Sequence, residues 1–352
     1  MLDFAVNVRG SGPPAWLADR LAARLADLGS YPTAADVHAA RTAVAARHGR
    51  DLDEVALLAG GAEGFALLPL LQPRLAALIA PSFTEPEAVF DAAGVPITQV
   101  VLDAPFRLSG APVPSDADLV VVGNPTNPTG VLHSRDEILA LRAPGRIVVV
   151  DEAFADAVPG EPESLAGRSL PDVVVLRSLT KTWSLAGLRV GYALGAPDVL
   201  SQLTTHRPHW PLGTLQLEAL TACCSADAVA EAESGARRLA GLRTEMAAGL
   251  AAADFAALLH DIAAAPERAF ADLRELLWDV TQALLACENA GSALCALARF
   301  DRHRFAPLLH RYELSNWVLY ARAYGRKRLA TAAGAAASRD PSARRARAVD
   351  RA

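Results

Sequence analysis

Val173-Val-Val-Leu-Arg-Ser-Leu-Thr-Lys-Thr-Trp-Ser-Leu-Ala-Gly-Leu-Arg-Val-Gly-Tyr192 opens on an apolar, β-branched run. It then breaks into a Ser/Thr-rich turn around Lys181 and returns to an apolar run at Val190. A short run of this kind, bounded by turn residues, predicts a buried strand. The same texture recurs outward along the chain at Val55–Ala59, Ala77–Ala80, Leu119–Val122, Ile147–Val150 and Val190–Leu194. Each run ends at a turn signal or a polar residue, and helical or loop segments separate them. Strands buried on both faces and joined by crossovers predict a largely parallel α/β sheet. In open α/β sheets ligands bind beyond the carboxyl ends of the strands, so the polar residues after each run are candidate site residues.

The rest of the chain sets bounds. Its 352 residues suffice for a large buried core. With 52% hydrophobic and 21% charged residues it has, as a whole, the composition of a globular protein and not of a disordered one. A net charge of -5 and a pI of about 5.9 give no reason to expect a nucleic-acid partner. Met1–Gly10 carries Asp3 and lacks the long apolar core of a signal peptide. The apolar stretch Phe65–Ala80 is interrupted by Pro69, Gln72, Pro73 and Arg74, so it reads as buried structure and not a membrane span. The expectation is a cytoplasmic protein. The four cysteines, Cys223, Cys224, Cys287 and Cys295, form no Cys-x-x-Cys pair and are expected to be reduced, with no metal bound. Near the start, Gly10-Ser-Gly-Pro-Pro14 reads as a loop feeding a helix from Trp16 to Leu28, with Pro13 or Pro14 near its first turn.

Three polar segments follow strand-like runs: Asn124-Pro-Thr-Asn-Pro-Thr-Gly130, Asp151-Glu-Ala-Phe154 and Ser178–Tyr192. An acid at the end of a buried strand is costly unless paired, and Asp151 suits a cation such as a protonated pyridine nitrogen. Lys181, on a turn that can partly desolvate it, is a candidate nucleophile. Ser178, Thr180 and Arg189 offer the hydroxyls and the guanidinium fork that a phosphate dianion needs. Asn127 can donate to a phenolate oxygen.

In combination these segments resemble the class I/II aminotransferase family of fold-type I pyridoxal-phosphate (PLP) enzymes. The matching residues are Asn127-Pro-Thr-Gly130, Asp151-Glu-Ala-Phe154 and Ser178-x-x-Lys181 with Arg189 eight residues later. The likeness covers roughly residues 1 to 215. It implies a mostly parallel seven-stranded-type sheet in a large domain, with a smaller C-terminal domain. It also implies that Lys181 is the Schiff-base lysine and proton shuttle, and that Asp151 faces the pyridine nitrogen. Asn127 would donate to the phenolic oxygen, with Phe154 beside it where many relatives have tyrosine. Ser178, Arg189 and the backbone N–H groups of Ala62 and Glu63, in Gly60-Gly-Ala-Glu63, would hold the phosphate. Phe83, in Pro81-Ser-Phe-Thr-Glu85, would stack on the ring. Tyr31, in Tyr31-Pro32, would reach the phosphate of a neighbouring subunit, which implies a homodimer with shared sites. Asn7 would touch substrate. The domain reading that follows is an N-terminal arm at 1–30, a large PLP-binding domain at 31–212, a helical connection and an atypical small C-terminal domain at 213–329, and a disordered tail at 330–352.

Two subgroups of the family fit, and both take phosphorylated amines: threonine-phosphate decarboxylase-like proteins of cobalamin biosynthesis, and histidinol-phosphate aminotransferases. Phe154 and Pro-Ser-Phe-Thr-Glu resemble the first more closely, so decarboxylation is the leading expectation and transamination the alternative. Beyond about Phe255 the family pattern does not continue. Arg302, Arg304, Arg322 and Arg326 are candidates for a carboxylate or phosphate ligand by type only. A PLP-binding protein with impaired catalysis is a further reading.

Overall fold

The computed structural model describes residues 7–10 and 12–251, all within one compact unit. Among the described residues seven strands form a single sheet: β1 Val55–Leu58, β2 Ala76–Ala80, β3 Ile97–Val101, β4 Leu119–Gly123, β5 Ile147–Asp151, β6 Val173–Ser178 and β7 Gly191–Leu194. Their order is β1-β7-β6-β5-β4-β2-β3. The pairings from β3 through β6 are parallel, and β7 runs antiparallel to both β6 and β1. Among the described residues eight α-helices accompany the sheet: α1 Ala15–Ala23, α2 Ala34–His48, α3 Gly61–Leu67, α4 Glu85–Ala92, α5 Arg135–Leu139, α6 Pro197–Thr204, α7 Thr214–Cys223 and α8 Ala226–Ala251.

The central strands are Val/Leu-rich because helices cover both of their faces. Side chains alternate along each strand, and the alternation sorts the core into two layers. Val148, Val150, Val173 and Val175 pack with Leu17 of α1, Val44 of α2, Leu217 and Leu220 of α7, and Ala228 of α8. Val149, Val174 and Leu176 pack with Phe65 of α3, Phe90 of α4 and Leu200 of α6. Helix ends follow local chemistry. Thr33 and Asp36 form a capping box at the start of α2, and Gly49 ends that helix in the left-handed conformation at φ 63°.

The sheet agrees with the fold expected from the sequence, with three differences. Strand β3 was not expected: Thr98 and Gln99 interrupt its apolar character, as befits an edge strand with one exposed side. The last run, expected at Val190–Leu194, is the antiparallel β7; apolar periodicity carries no strand direction. The first helix stops at Ala23, and Leu25–Gly29 form a tighter helical turn. Cys223 and Cys224 are free and buried, while Cys287 and Cys295 lie outside the described residues, as do Arg302, Arg304, Arg322, Arg326 and residues 330–352. Among the described residues no helix is long and apolar enough to cross a membrane.

Candidate active site

Strands β4, β5 and β6 run parallel, so their carboxyl ends deliver Asn124, Asp151 and Ser178 to one edge of the sheet. Asp151 closes β5 and Ser178 closes β6, each in the alternation of the layer that contains Val149 and Leu176.

The turn after β6 is built by hydroxyls and by two residues in an uncommon backbone conformation. Ser178 Oγ and Thr180 Oγ1 share a hydrogen bond of 2.6 Å, and Leu185 N donates to Thr180 O at 3.1 Å. Ser184 and Arg189 have φ of 54° and 58°, the left-handed region that non-glycine residues seldom occupy. Arg189 is held there by its N–H to Leu185 O at 3.2 Å and by Gln216 Nε2 donating to its carbonyl at 2.8 Å. Its guanidinium then lies over Gly60. A Cβ placed on Gly60, whose φ is 86°, would stand 3.2 Å from an Arg189 nitrogen. One on Gly61 would stand 3.8 Å from Ser178 Cβ. Gly191 lies beneath this turn and pairs across the sheet with Ser178 and Leu58. The Gly60-Gly61 turn, Ser178 and Arg189 therefore converge, and α3 starts from that point.

Lys181 Nζ lies 5.7 Å from the centre of the Phe154 ring. Burial lowers its pKa, as does the charge of Arg189, against the opposing charge of Asp151. Asp151 Oδ1 accepts from Ala153 N at 3.0 Å. Burial nevertheless pushes the Asp151 carboxyl up to about 6, with the charges of Glu152 and Glu85 adding to the rise and Lys181 opposing it. The Lys181 charge therefore offsets only part of the cost of burial.

Asn127 sits on the turn after β4. Asn124 braces that loop by donating to His133 O at 3.2 Å and accepting from His133 N at 2.8 Å, and Gly130 N donates to Thr126 O at 2.7 Å. Asn127 is partly buried. Phe83 follows β2, is 43% exposed and has its ring 6.1 Å from that of Phe65. Asn7 is exposed, and two residues later Arg9 N donates to Lys181 O at 3.0 Å, so the amino-terminal segment passes over the lysine turn. Ala62 and Glu63 lie in the first turn of α3.

Tyr31 is not brought to this cluster. It is 71% exposed and stacks on Trp210, with ring centres 4.1 Å apart. Its neighbour Pro32 and Trp210 line a cavity of about 360 Å³ with Arg41 and Leu57, and none of the residues named around Lys181 borders it.

Two features went unread in the sequence. Glu63 accepts from Ala59 N at 2.6 Å and from both Nε and Nη2 of Arg207 at 2.9 Å. Arg207 thus neutralises a carboxylate beside the cradle. The pair is 144 residues apart, and no local pattern announces it. The second was available from composition. The chain has 34 lysines and arginines, yet Lys181 and Lys327 are its two lysines. In a chain that otherwise uses arginine, a lysine on this turn marks a position where an amine able to lose its proton is needed.

These residues fit PLP. A guanidinium and a hydroxyl meet at a glycine cradle that a Cβ would fill, and an amine with depressed pKa interacts electrostatically both with that guanidinium and with a part-buried carboxyl whose burial its charge only partly offsets.

A family model for aminotransferase class I and II matches residues 3–275. A histidinol-phosphate aminotransferase of Mycobacterium bovis is 66% identical over 250 residues, which is 71% of this chain and 69% of that protein. L-threonine-O-3-phosphate decarboxylase from Porphyromonas gingivalis has a similar structure, with a TM-score of 0.64 at 21% identity over 72% of this chain and 78% of the other. So does the histidinol-phosphate aminotransferase of Sinorhizobium meliloti in complex with pyridoxal-5'-phosphate, at TM-score 0.63 and 20% identity over 70% of each chain. At such identities the two structures speak for the fold alone.

Proposed function

Because this chain belongs to the aminotransferase class I and II family, a family of PLP-dependent enzymes, we propose that it transaminates a phosphorylated amine, with histidinol phosphate as the leading substrate. The observation that carries the substrate is the 66% identity to the Mycobacterium bovis histidinol-phosphate aminotransferase. It reverses the order expected from Phe154 and Pro81–Glu85, which put decarboxylation first. Those residues resemble one subgroup at a few positions, whereas the identity spans 250 residues.

Bound PLP would draw electrons from the substrate Cα through its protonated ring nitrogen. Each residue then has one task. Lys181 Nζ holds the cofactor and moves the proton at the substrate Cα, and its depressed pKa keeps the amine available as a base. Asp151 faces the ring nitrogen and keeps it protonated; the same cation offsets the burial that now holds the carboxyl near 6. Asn127 donates to the ring's phenolic oxygen. Phe83 covers one face of the ring, and Phe154 stands beside Lys181 without the hydroxyl a tyrosine would add. Ser178, Arg189 and the N–H groups of Ala62 and Glu63 hold the phosphate. Asn7, next to the segment that bonds to Lys181, meets the substrate. Tyr31, exposed on its own subunit, completes the phosphate site of the second subunit of a homodimer.

The test supplies purified protein and PLP with histidinol phosphate and 2-oxoglutarate, and in parallel with phosphothreonine. Glutamate formed from the first pair, without carbon dioxide from the second, is the expected result. Carbon dioxide from phosphothreonine and no glutamate would restore the decarboxylase reading. No turnover of either by protein that binds PLP would favour the catalytically impaired reading.

A further inference from the structure

Behind the site, on the other layer of the sheet, stands a buried ion cluster that the proposed reaction does not use. Arg177 immediately precedes Ser178 on β6, and Glu152 immediately follows Asp151 after β5. Strand alternation therefore sends this second pair to the opposite face from the first. There Arg177 Nη1 donates to Glu152 Oε2 at 3.0 Å and to Glu161 Oε2 at 2.6 Å, while Nη2 bonds to Asp156 and to Glu161 Oε1. Arg47 of α2 donates to Asp156 at 2.6 Å and to Glu161 at 3.2 Å. Glu152 also accepts from Ser164 Oγ at 2.6 Å and Leu165 N at 2.7 Å. His48 bonds to the Tyr192 hydroxyl at 2.8 Å. Burial, with Arg177 and Arg47 nearby, takes its pKa to about 2, so it adds no charge.

Arg177 and Glu152 are 2% and 1% exposed. A bond so dry contributes little net stability, because desolvation offsets most of its attraction. What it does supply is a fixed distance: it crosses from β5 to β6 at the level where Asp151 and Ser178 leave those strands. Backbone pairing reinforces the crossing, with Glu152 N donating to Leu176 O at 2.9 Å.

We propose that Arg177 and Glu152 are positioning residues for the cofactor site. Their buried bond sets the separation between Asp151, at the ring-nitrogen end, and Ser178, at the phosphate end. This rests on the PLP reading above. A ligand that engages both ends feels the separation; one that occupies the phosphate end alone does not.

The experiment compares full-length wild type with Arg177→Gln and Glu152→Gln, using PLP and inorganic phosphate as separate probes and thermal melting as a check of the fold. Wild-type protein must first retain PLP on Lys181 after borohydride reduction; if it does not, the PLP reading fails and this inference with it. Given that retention, Arg177→Gln is expected to weaken PLP tenfold or more while changing phosphate affinity less than twofold. The double variant, which removes both charges and leaves two amides able to bond, should recover PLP affinity to within threefold of wild type. PLP affinity unchanged in folded Arg177→Gln overturns the proposal, as does a parallel loss of PLP and phosphate, or a double variant no better than the single. If Arg177→Gln does not fold, Glu152→Gln decides: a PLP loss of threefold or more at constant phosphate affinity supports the proposal, and any other outcome overturns it. Each of these failures leaves the PLP reading standing.

Discussion

Replacing Gly191 with alanine tests whether the Gly60-Gly61 turn is seated on β7 as described. A methyl at this position would lie 2.6 Å from Arg177 O, 2.9 Å from Gly60 C and 3.0 Å from Gly61 N. All three are backbone atoms, so no rotamer change relieves the clash. Overpacking a well-filled interior costs about 1–3 kcal/mol, and contacts with rigid backbone from three directions put this case near the top, at about 3 kcal/mol. For a unit of this size, 1 kcal/mol corresponds to roughly 2–4 °C, so the melting point should fall by about 6–12 °C. The turn also has to move away from Ser178 and Arg189, so PLP affinity should drop about tenfold, near 1.4 kcal/mol. Gly64→Ala is the control: its methyl would lie 2.8 Å from a Leu176 methyl and 3.2 Å from one of Leu58, side-chain ends that can rotate away. It should lose about 1 kcal/mol and leave PLP affinity near wild type. Thermal melts and PLP titration of both variants are the assay. A Gly191→Ala protein that melts within about 2 °C of wild type and binds PLP equally well would show that the turn is not packed on this strand.

Other expectations follow from the same geometry. Burial pushes the Asp151 carboxyl up to about 6 from the ordinary carboxyl value of 3.8, so its contribution to the stability of the cofactor-free protein is present below the lower value and lost as pH rises through the upper. PLP, whose protonated ring nitrogen would be a further cation beside Asp151, should therefore raise the melting point more at pH 7.5 than at pH 5, and Asp151→Asn should flatten that difference while lowering kcat more than it raises KM; an unchanged kcat would remove Asp151 from the chemistry. Arg207→Gln leaves Glu63 as an unpaired carboxylate beside the phosphate cradle, so PLP affinity should fall about tenfold, in keeping with a charged hydrogen bond of roughly 1.5–3 kcal/mol; Arg207→Gln with Glu63→Gln should regain most of it, and titration that finds no recovery would reject the charge argument. Mixing Tyr31→Phe with Lys181→Ala subunits should yield hybrid dimers with more activity than either parent, because one of their two sites carries both native residues. Hybrids verified by mass that show no gain would place Tyr31 outside the shared site.

Much of this arrangement could be read along the chain because its signals are local. Val120–Val122, Ile147–Val150 and Val173–Leu176 are uninterrupted apolar runs, and the polar residues within one or two positions after each are where a parallel sheet exposes its strand ends. That brings Asp151, Ser178 and Lys181 to the same edge of the sheet. Edge strand β3 escaped because half-exposed strands mix Thr98 and Gln99 with their apolar residues, and the antiparallel sense of β7 escaped because alternation is the same in either direction. The left-handed backbone at Arg189 could not be read either: arginine has no preference for it, and it is imposed by Leu185 and Gln216. The ion pairs Arg207–Glu63 and Arg47–Asp156 join residues more than 100 positions apart, so they exist only once the sheet has brought their elements together.

The most direct measurement exploits the scarcity of lysine. Protein incubated with PLP, reduced with borohydride and digested offers two lysine side chains, Lys181 and Lys327, together with the terminal amine, as places for the label. Peptide mapping should find the phosphopyridoxyl group on the peptide containing Lys181, and Lys181→Ala should lose both the label and the visible absorbance of the bound cofactor. Label on Lys327 or the terminal amine alone, or an undiminished label in Lys181→Ala, would contradict the assignment of this site.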